Sequence, residues 1–503
     1  MSKLFNTSAL IAIFAASPAL AEITPADAWD IWQAQADATG LTVTSQSHAE
    51  GDALVVDRVR ISVNMPEAGL KGFFEFSGPR LEPVGEGNVR MTFPETDSYV
   101  LAVKGSDAWI DARFQVVADG YVGVMSGTPG SVTTAWSANG IDITLGEILL
   151  DGEQVDRASA TFSIGQFASQ VMTNINETHV STEVTASYSG MEYDFSMNAT
   201  EEDSTAMIAA GQFGRQTSNM SLVLPRDGID VLNLPTQLRE GMYFAGTGNI
   251  EDLVSSQQTI MDGAVFMEQA SSVRAETFSM RLSSKGLEYG ASGNDVSVQV
   301  SVPEIGLDAD VSLKTVSGSV FLPLLKAEEQ QSVNVAMMIE ELAVNDAVWD
   351  LADPEGRLSR DPVNVSLDMS GSVIVTEDMI EFPEVADLDE PPVQIQSAVL
   401  NDLLLDAVGA KLSGIASFVF DNTDLETFDG MPAPTGTAEI RVEGANQLID
   451  SLLAMGLMSE DDAFGARMLM GMIGRAGEGE DVLLSTIEVK GNGEISANGQ
   501  RLR

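Results

Sequence analysis

The chain has 503 residues and no cysteine, which excludes disulfide frameworks, thiolate metal sites and cysteine nucleophiles. Its 26 basic and 75 acidic residues give a formal net charge of -49 at pH 7, and such a surface repels the phosphate groups of nucleic acids. We therefore expect no nucleic-acid binding, and a large core built from apolar side chains alone. The acidity is typical of a protein that stays soluble in a salty environment.

Residues 1–21 have the pattern of a cleaved signal peptide. Lys3 supplies a positive charge, the apolar run 9–16 is about half as long as a membrane span, and Ala19 and Ala21 are the small residues that signal peptidase reads. We expect cleavage after Ala21 and a periplasmic location, with a retained N-terminal anchor as the alternative. No later window is long and apolar enough to span a bilayer, so no transmembrane segment is expected in the mature chain.

A helix is predicted directly after this segment. Thr24 can cap it, Pro25 suits its first turn, and Gly40 is placed to end it. Trp29 and Trp32 share one face at helical spacing. We expect these two side chains to anchor the helix on the first sheet, the alternative being a ligand platform.

From Leu41 onward the dominant hydrophobic period is two. Apolar and polar residues alternate most clearly over residues 58–65, 296–302, 363–369 and 438–442. Each such strand has one apolar and one polar face, which is typical of antiparallel sheets. The sequence therefore predicts a mainly β (α+β) fold, with long antiparallel meandering sheets, a short N-terminal helix and a C-terminal Met-rich helical hairpin.

Two further helices are predicted, over residues 251–269 and 337–349. The acidic segment 386–392, with its double proline, is predicted to be a linker or long loop. These features suggest a division of the chain into the signal peptide 1–21, an N-terminal β-rich half 22–285, a second β-rich half 286–443, and a helical hairpin followed by a final β-hairpin over 444–503.

The predicted helical hairpin is the most distinctive segment. Gly456 is placed to stop its first helix, and Ser459 can cap the second, whose first turn is acidic. Methionine suits surfaces that must accept varied shapes. The hairpin is predicted either to cover the sheet as a lid or to offer a pliable surface to a lipid or a partner helix. The candidate surface residues are Leu452, Met455, Phe464, Met468 and Met472.

The sequence lacks the usual motifs of catalysis. Its two histidines, His48 and His179, form no zinc-binding pair, and the nucleophile elbow, the SxxK motif and the phosphate-binding loop are absent. The acidic clusters 387–390 and 421–429 could hold calcium, although neither has the spacing of an EF-hand loop. We expect no enzyme activity, no catalytic residues, no cofactor and no metal site. A hydrolase that uses only carboxylates is kept as an alternative.

A family resemblance appears in the C-terminal third, over residues 349–354, 357–362, 420–425, 432–436, 477–481 and 497–501. With these motifs the chain resembles an uncharacterised family of periplasmic proteins from Gram-negative (alphaproteobacterial) bacteria, domain of unknown function 2125. That resemblance implies no reaction, cofactor or catalytic residue. The expected architecture is also similar to AsmA-like envelope proteins, whose long twisted sheets form grooves implicated in lipid handling.

These observations lead to competing functional hypotheses. The favoured hypothesis is a non-enzymatic exported envelope protein that binds a lipid or other hydrophobic ligand on a concave sheet. The alternative is a protein-interaction or scaffold module of envelope biogenesis. The expected partners are accordingly a lipid or an envelope protein.

Overall fold

The structure, a computed structural model, describes residues 23–65, 70–104, 108–155, 157–199, 204–380 and 391–503. The predicted signal peptide 1–21 and most of the predicted loop 386–392 lie outside the described residues. The helices are α1 (Pro25–Ala38), α2 (Leu234–Arg239), α3 (Asp346–Ala352), α4 (Ala445–Ala454) and α5 (Glu460–Ile473).

The strands of the first region are β1 (Thr42–Glu50), β2 (Ala53–Met65), β3 (Leu70–Ser77), β4 (Arg80–Pro83), β5 (Val89–Thr92), β6 (Thr96–Lys104), β7 (Trp109–Asp119), β8 (Val122–Thr128), β9 (Ser131–Ala138), β10 (Gly140–Leu150), β11 (Glu153–Gln154) and β12 (Ala158–Ile175). The strands that follow are β13 (His179–Met197), β14 (Thr205–Pro225), β15 (Tyr243–Met261), β16 (Ala264–Ser283), β17 (Gly286–Val302), β18 (Leu307–Leu322), β19 (Gln331–Val344), β20 (Val363–Val375), β21 (Val393–Ala407), β22 (Ala410–Asp421), β23 (Ala433–Glu443), β24 (Arg475–Ala476), β25 (Val482–Val489), β26 (Ile495–Ala497) and β27 (Gln500–Arg501). All belong to one sheet, and every pairing between them is antiparallel. The predicted mainly β fold is confirmed.

The predicted N-terminal helix is confirmed as α1. The Thr24 hydroxyl accepts a hydrogen bond from the Asp27 N–H at 3.2 Å, and the Asp27 carboxylate accepts one from the Thr24 N–H at 3.0 Å. This reciprocal capping satisfies two N–H groups that a helix start leaves without partners. The chain leaves the helix at Gly40, whose φ of 77° is a left-handed conformation that glycine adopts without strain.

The sheet divides in the first region and closes on itself. The start of β2 pairs with β4 and its later part pairs with β3. One branch continues through β5, β8 and β9, the other through β6, β7 and β10, and both rejoin on β12. This closed ring of pairings brings the inner faces of the two branches together and gives the strands a shared interior.

Helix α1 fills part of that interior. Trp29 is 6% exposed and stacks on Trp32, with ring centroids 4.9 Å apart. The two rings belong to a core cluster that includes Val59, Leu81 and Met91, all at most 2% exposed. The predicted role of the tryptophans as an anchor onto the first sheet is confirmed.

From β13 onward the sheet is a simple meander in which each long strand pairs with the next. The predicted helix over 251–269 is wrong, because these residues form the end of β15, a two-residue turn and the start of β16. The predicted helix over 337–349 is wrong for most of its length, since β19 continues to Val344 and only the short α3 follows. In both stretches the period-two pattern and the long-range strand pairing outweigh local helix propensity. The division predicted between residues 285 and 286 falls at the turn between β16 and β17, which pair along their length.

A row of interruptions in the strand ladders crosses the meander at one level. Asp252, Asp295 and Glu341 have left-handed φ angles of 52°, 48° and 53°, and they lie in alternate strands. The ladders on either side skip these residues together with Arg274 of β16 and Lys314 of β18, and the register is the same before and after the gap. A left-handed residue departs from the extended conformation of a strand. The strands β15, β17 and β19 are therefore distorted at one level, which we call the interrupted row.

Candidate functional site

The meander has one apolar face and one mainly polar face. One row of cross-strand partners runs from β16 to β20, and because its members lie opposite one another, their side chains lie on the same face. The row consists of Met280, Tyr289, Val320, Val335 and Met369. A neighbouring row on this face runs through Phe278, Ala291, Gly318, Met337 and Leu367. The other face of these strands is made mostly of serine, threonine and charged residues.

The apolar face is half-open where the two rows meet. Six large side chains there are between 39% and 47% exposed, and we call them the apolar trough: Phe278, Met280, Tyr289, Val335, Met337 and Met369. Between the interrupted row and the end of the strands at the β18–β19 connection, the register of β17 to β20 gives this face only apolar side chains and glycines, apart from Tyr289 and Gln331, and their partners in β21 to β23 are apolar residues or glycines as well. The trough is therefore a continuous apolar surface, and no second layer from the described residues covers it.

A glycine helps to set the shape of the trough. A Cβ atom at Gly248 would lie 2.2 Å from the ring of Phe278 on the neighbouring strand. The ring thus lies flat over the glycine, and any larger residue at this position would push it outward.

One end of the trough is closed by a cap that joins distant parts of the sheet. Leu238 and Met242, in and after α2, are buried with Leu325 from the β18–β19 connection and with Leu224 at the end of β14. Because α2 lies between β14 and β15 while the β18–β19 connection is several strands away, this contact requires the sheet to curl toward its apolar face. The apolar face is therefore the inner one.

A charged pair holds the same cap. The Arg239 guanidinium donates two hydrogen bonds to the Asp378 carboxylate, at 3.0 and 2.5 Å, and the Lys326 N–H donates a third at 2.7 Å. Burial favours a higher pKa for Asp378, but the hydrogen bonds from Arg239 and Lys326 outweigh it and hold the pKa below the ordinary value. The pair connects α2 with the segment that follows β20, five strands further along the meander than β15.

The predicted helical hairpin is confirmed as α4 and α5, at the end of the strands opposite the cap. Gly456 turns the chain with a φ of 71°, and the Ser459 hydroxyl caps α5 by accepting from the Asp462 N–H at 3.1 Å. The final β-hairpin is also present, as β25 followed by β26 and β27. Of the candidate surface residues, Leu452 and Met455 are half-buried on or beside α4. Phe464, Met468 and Met472 lie on α5 and are 70%, 64% and 50% exposed.

Two of the segments that carry the family resemblance are held near the hairpin by hydrogen bonds to an aspartate. Asp481 accepts hydrogen bonds from the Asn446 and Gln447 N–H groups at 2.8 and 3.1 Å, and so caps α4 in place of Gly444, which has no side chain to do it. Asp353 likewise accepts from the N–H groups of Arg357 and Leu358, and these bonds hold its pKa below the ordinary value. These carboxylates organise loops and helix starts.

The candidate catalytic and metal-binding groups do not converge. His48 lies near Asp57 at 3.3 Å, and His179 bonds to its neighbour Thr178 at 2.8 Å. Asp421 and Asp424 accept hydrogen bonds within their own loop, and the acidic cluster 387–390 lies outside the described residues. In the part of the chain that the structure describes, no three histidine, aspartate or glutamate residues are grouped as metal ligands would be.

The comparisons with known proteins add no relative. No family model, no curated protein and no solved structure matches this chain. The resemblances noted from the sequence therefore stay predictions. None of the helices in the described residues is both long and apolar enough to cross a bilayer.

Sequence reasoning did not single out the residues of the apolar trough. The alternation was visible for one of them, Met369, at the end of the pattern 363–369 of β20, but its neighbours across the sheet were not. A pattern of period two assigns each side chain to a face, whereas the strand register decides which side chains meet.

Proposed function

We propose that this protein is a non-enzymatic, exported protein of the bacterial envelope, located in the periplasm, that binds the acyl chain of a lipid in the apolar trough. The observation that carries the proposal is the chemistry of the inner face. Between the interrupted row and the cap, its side chains from β17 to β23 offer few hydrogen-bonding groups, and Tyr289 and five large apolar side chains are left between 39% and 47% exposed. An exposed apolar surface of this kind is typical of a binding site.

The same observation favours an acyl chain over a peptide. A peptide lying along the trough would bring N–H and C=O groups onto a surface that cannot bond them, at a cost of about 1–3 kcal/mol for each group left without a partner. An acyl chain has no such groups, and each methylene that it buries contributes about 0.8 kcal/mol. The cap at one end supports the proposal further, because it shields part of the inner face from water.

The first test compares two adjacent methionines. Met337 points into the trough and is 43% exposed, while Met338 points to the opposite face and is 38% exposed. We expect the mature protein to bind a fluorescent long-chain fatty acid, and Met337→Asp to weaken binding by at least about tenfold, because a charge in the trough would lose its water on binding. Met338→Asp is the matched control and should bind as the wild type does.

The readout is a fluorescence titration, supported by native mass spectrometry of protein purified from its host. A bound mass that leaves on denaturation and is identified as a lipid supports the proposal. If the wild type does not bind the probe, or if both aspartate variants lose binding equally, the trough is not a lipid site.

A further inference from the structure

Helix α5 carries its large apolar side chains on the outside. One stripe on its surface is formed by Phe464, Met468 and Met472, which are spaced four residues apart and so lie on the same side of the helix. These side chains are 70%, 64% and 50% exposed. The side toward α4 carries Ala463, which is 1% exposed, and Arg467, which bonds to Asp450 at 2.7 Å. The helix therefore turns the small Ala463 inward and leaves three of its large apolar side chains exposed.

The neighbouring helix shows the opposite arrangement. In α4 the apolar Ile449 is 7% exposed, as expected of an amphipathic helix packed on a protein. Burying a Phe or Met side chain is worth about 1.5–3 kcal/mol, so α5 forgoes several kcal/mol in the isolated chain. Leu457, in the turn between the two helices, is also 67% exposed. A stripe of exposed apolar side chains such as that of α5 is typical of interaction surfaces.

The N-terminal end of this stripe is acidic. The first turn of α5 carries Glu460, Asp461 and Asp462, all exposed. Arg467, the basic residue within α5, is engaged by Asp450 and Asn446 of α4. The stripe thus has an apolar centre of about 12 Å, the length of eight helical residues, and a negative border at one end.

We propose that the stripe formed by Phe464, Met468 and Met472 docks an apolar segment of a partner protein whose own rim carries lysine or arginine. Charge complementarity selects this occupant. A second copy of the chain would bring the same acidic border against itself in a two-fold contact, and the net charge of -49 disfavours anionic bilayers. A basic rim would be attracted to the acidic turn and would bring the two apolar surfaces together.

The test uses two synthetic amphipathic helices with the same leucine stripe, one rimmed with lysine and one with glutamate. Binding to the mature protein is measured by fluorescence anisotropy at low and high salt. We expect the lysine-rimmed peptide to bind at least about tenfold more tightly than the glutamate-rimmed one, and its advantage to shrink as salt increases.

Variants locate the binding surface. Phe464→Ser combined with Met468→Ser should weaken binding of the lysine-rimmed peptide by at least about tenfold, because these side chains form the apolar centre. Leu232→Ser is the matched control, since Leu232 is 68% exposed at the opposite end of the strands. Glu460→Gln combined with Asp461→Asn should reduce the salt dependence. All these positions are exposed, so the melting temperature should stay unchanged.

Several outcomes overturn the proposal. These are equal binding of both peptides, no binding of either, or binding that survives the Phe464→Ser, Met468→Ser change. Self-association that the same change abolishes would identify a second copy as the occupant instead. Binding to phosphatidylcholine vesicles that the change abolishes would identify a bilayer. The fatty-acid titration of the trough is independent, because none of these substitutions touches the trough residues.

Discussion

The closed first region and the open meander are built from strands of the same pattern, yet they bury their apolar faces to very different extents. In the first region Val59, Leu81 and Met91 are at most 2% exposed. In the meander Val335 and Met337, which also point inward, are 41% and 43% exposed. Alternation decides which face of a strand is apolar. Whether that face is dry depends on what covers it.

Two features cover the apolar strand faces of the first region. The sheet divides at β2 and rejoins at β12, so one branch faces the other, and α1 fills the interior with Trp29 and Trp32. Among the described residues, the meander is covered by the cap at one end and by the helices at the other. Its inner face is therefore left open along the middle of the strands, which is where a ligand could bind.

The largest expected effect comes from two matched methionine substitutions. Met91→Ala removes a side chain that is 2% exposed and should lower the free energy of unfolding by about 2–5 kcal/mol, since it leaves a cavity in a packed core. Met337→Ala, at a site 43% exposed, should cost less than about 1 kcal/mol. Urea denaturation followed by circular dichroism measures both. Similar losses for the two variants would mean that the meander is covered as well as the first region is.

A second prediction concerns the interrupted row of the meander. Asp252 has a φ of 52°, a conformation that β-branched residues rarely adopt. Asp252→Val should therefore lower the free energy of unfolding by about 1–3 kcal/mol, whereas Asp252→Gly should change it by less than about 1 kcal/mol. The core cluster that holds Trp29 and Trp32 contains no residue of this row, so the near-ultraviolet signal of the two tryptophans should stay unchanged in both variants. Equal stability of the two variants would contradict the strain expected of a β-branched residue at this φ.

The smallest effect is expected at the cap that closes the meander. The pKa of Asp378 is held below its ordinary value of 3.8 by Arg239 and the Lys326 N–H, even though burial acts in the other direction. The stabilisation is therefore present above about pH 4 and is lost as the pH falls through the lowered pKa. Asp378→Asn should destabilise the protein by about 1–2 kcal/mol at neutral pH.

The difference between wild type and Asp378→Asn should be constant from pH 5 to 7 and should vanish in stronger acid, which thermal melts across this range would show. Glu377→Gln is the control, because Glu377 is 55% exposed and forms its ion pair with the exposed Lys326 side chain. A difference that persists unchanged at the lowest pH would show that the pair does not hold the cap.

Local signals in the sequence were enough for several elements. Three helix ends could be read locally: the N-cap Thr24 of α1, the stop signal Gly456 after α4 and the N-cap Ser459 of α5. Helix capping depends on residues three or four positions apart, so a short stretch of sequence is enough to predict it. The antiparallel meander followed from alternation for the same reason. The helix predicted over 251–269 was wrong because its residues pair with strands far away in the chain, and no local pattern reports that pairing.

By itself, the sequence determined the composition of each strand face and the amphipathic character of each helix, since both follow from the geometry of the backbone repeat. Tertiary structure alone decided that the sheet closes around α1 and stays open beyond it, and that the ladder interruptions of five neighbouring strands align. It also decided that α5 turns Phe464 and Met468 outward. The physical reason is that burial is a property of surroundings, and surroundings are set by strand register and by contacts between residues that are distant in the chain.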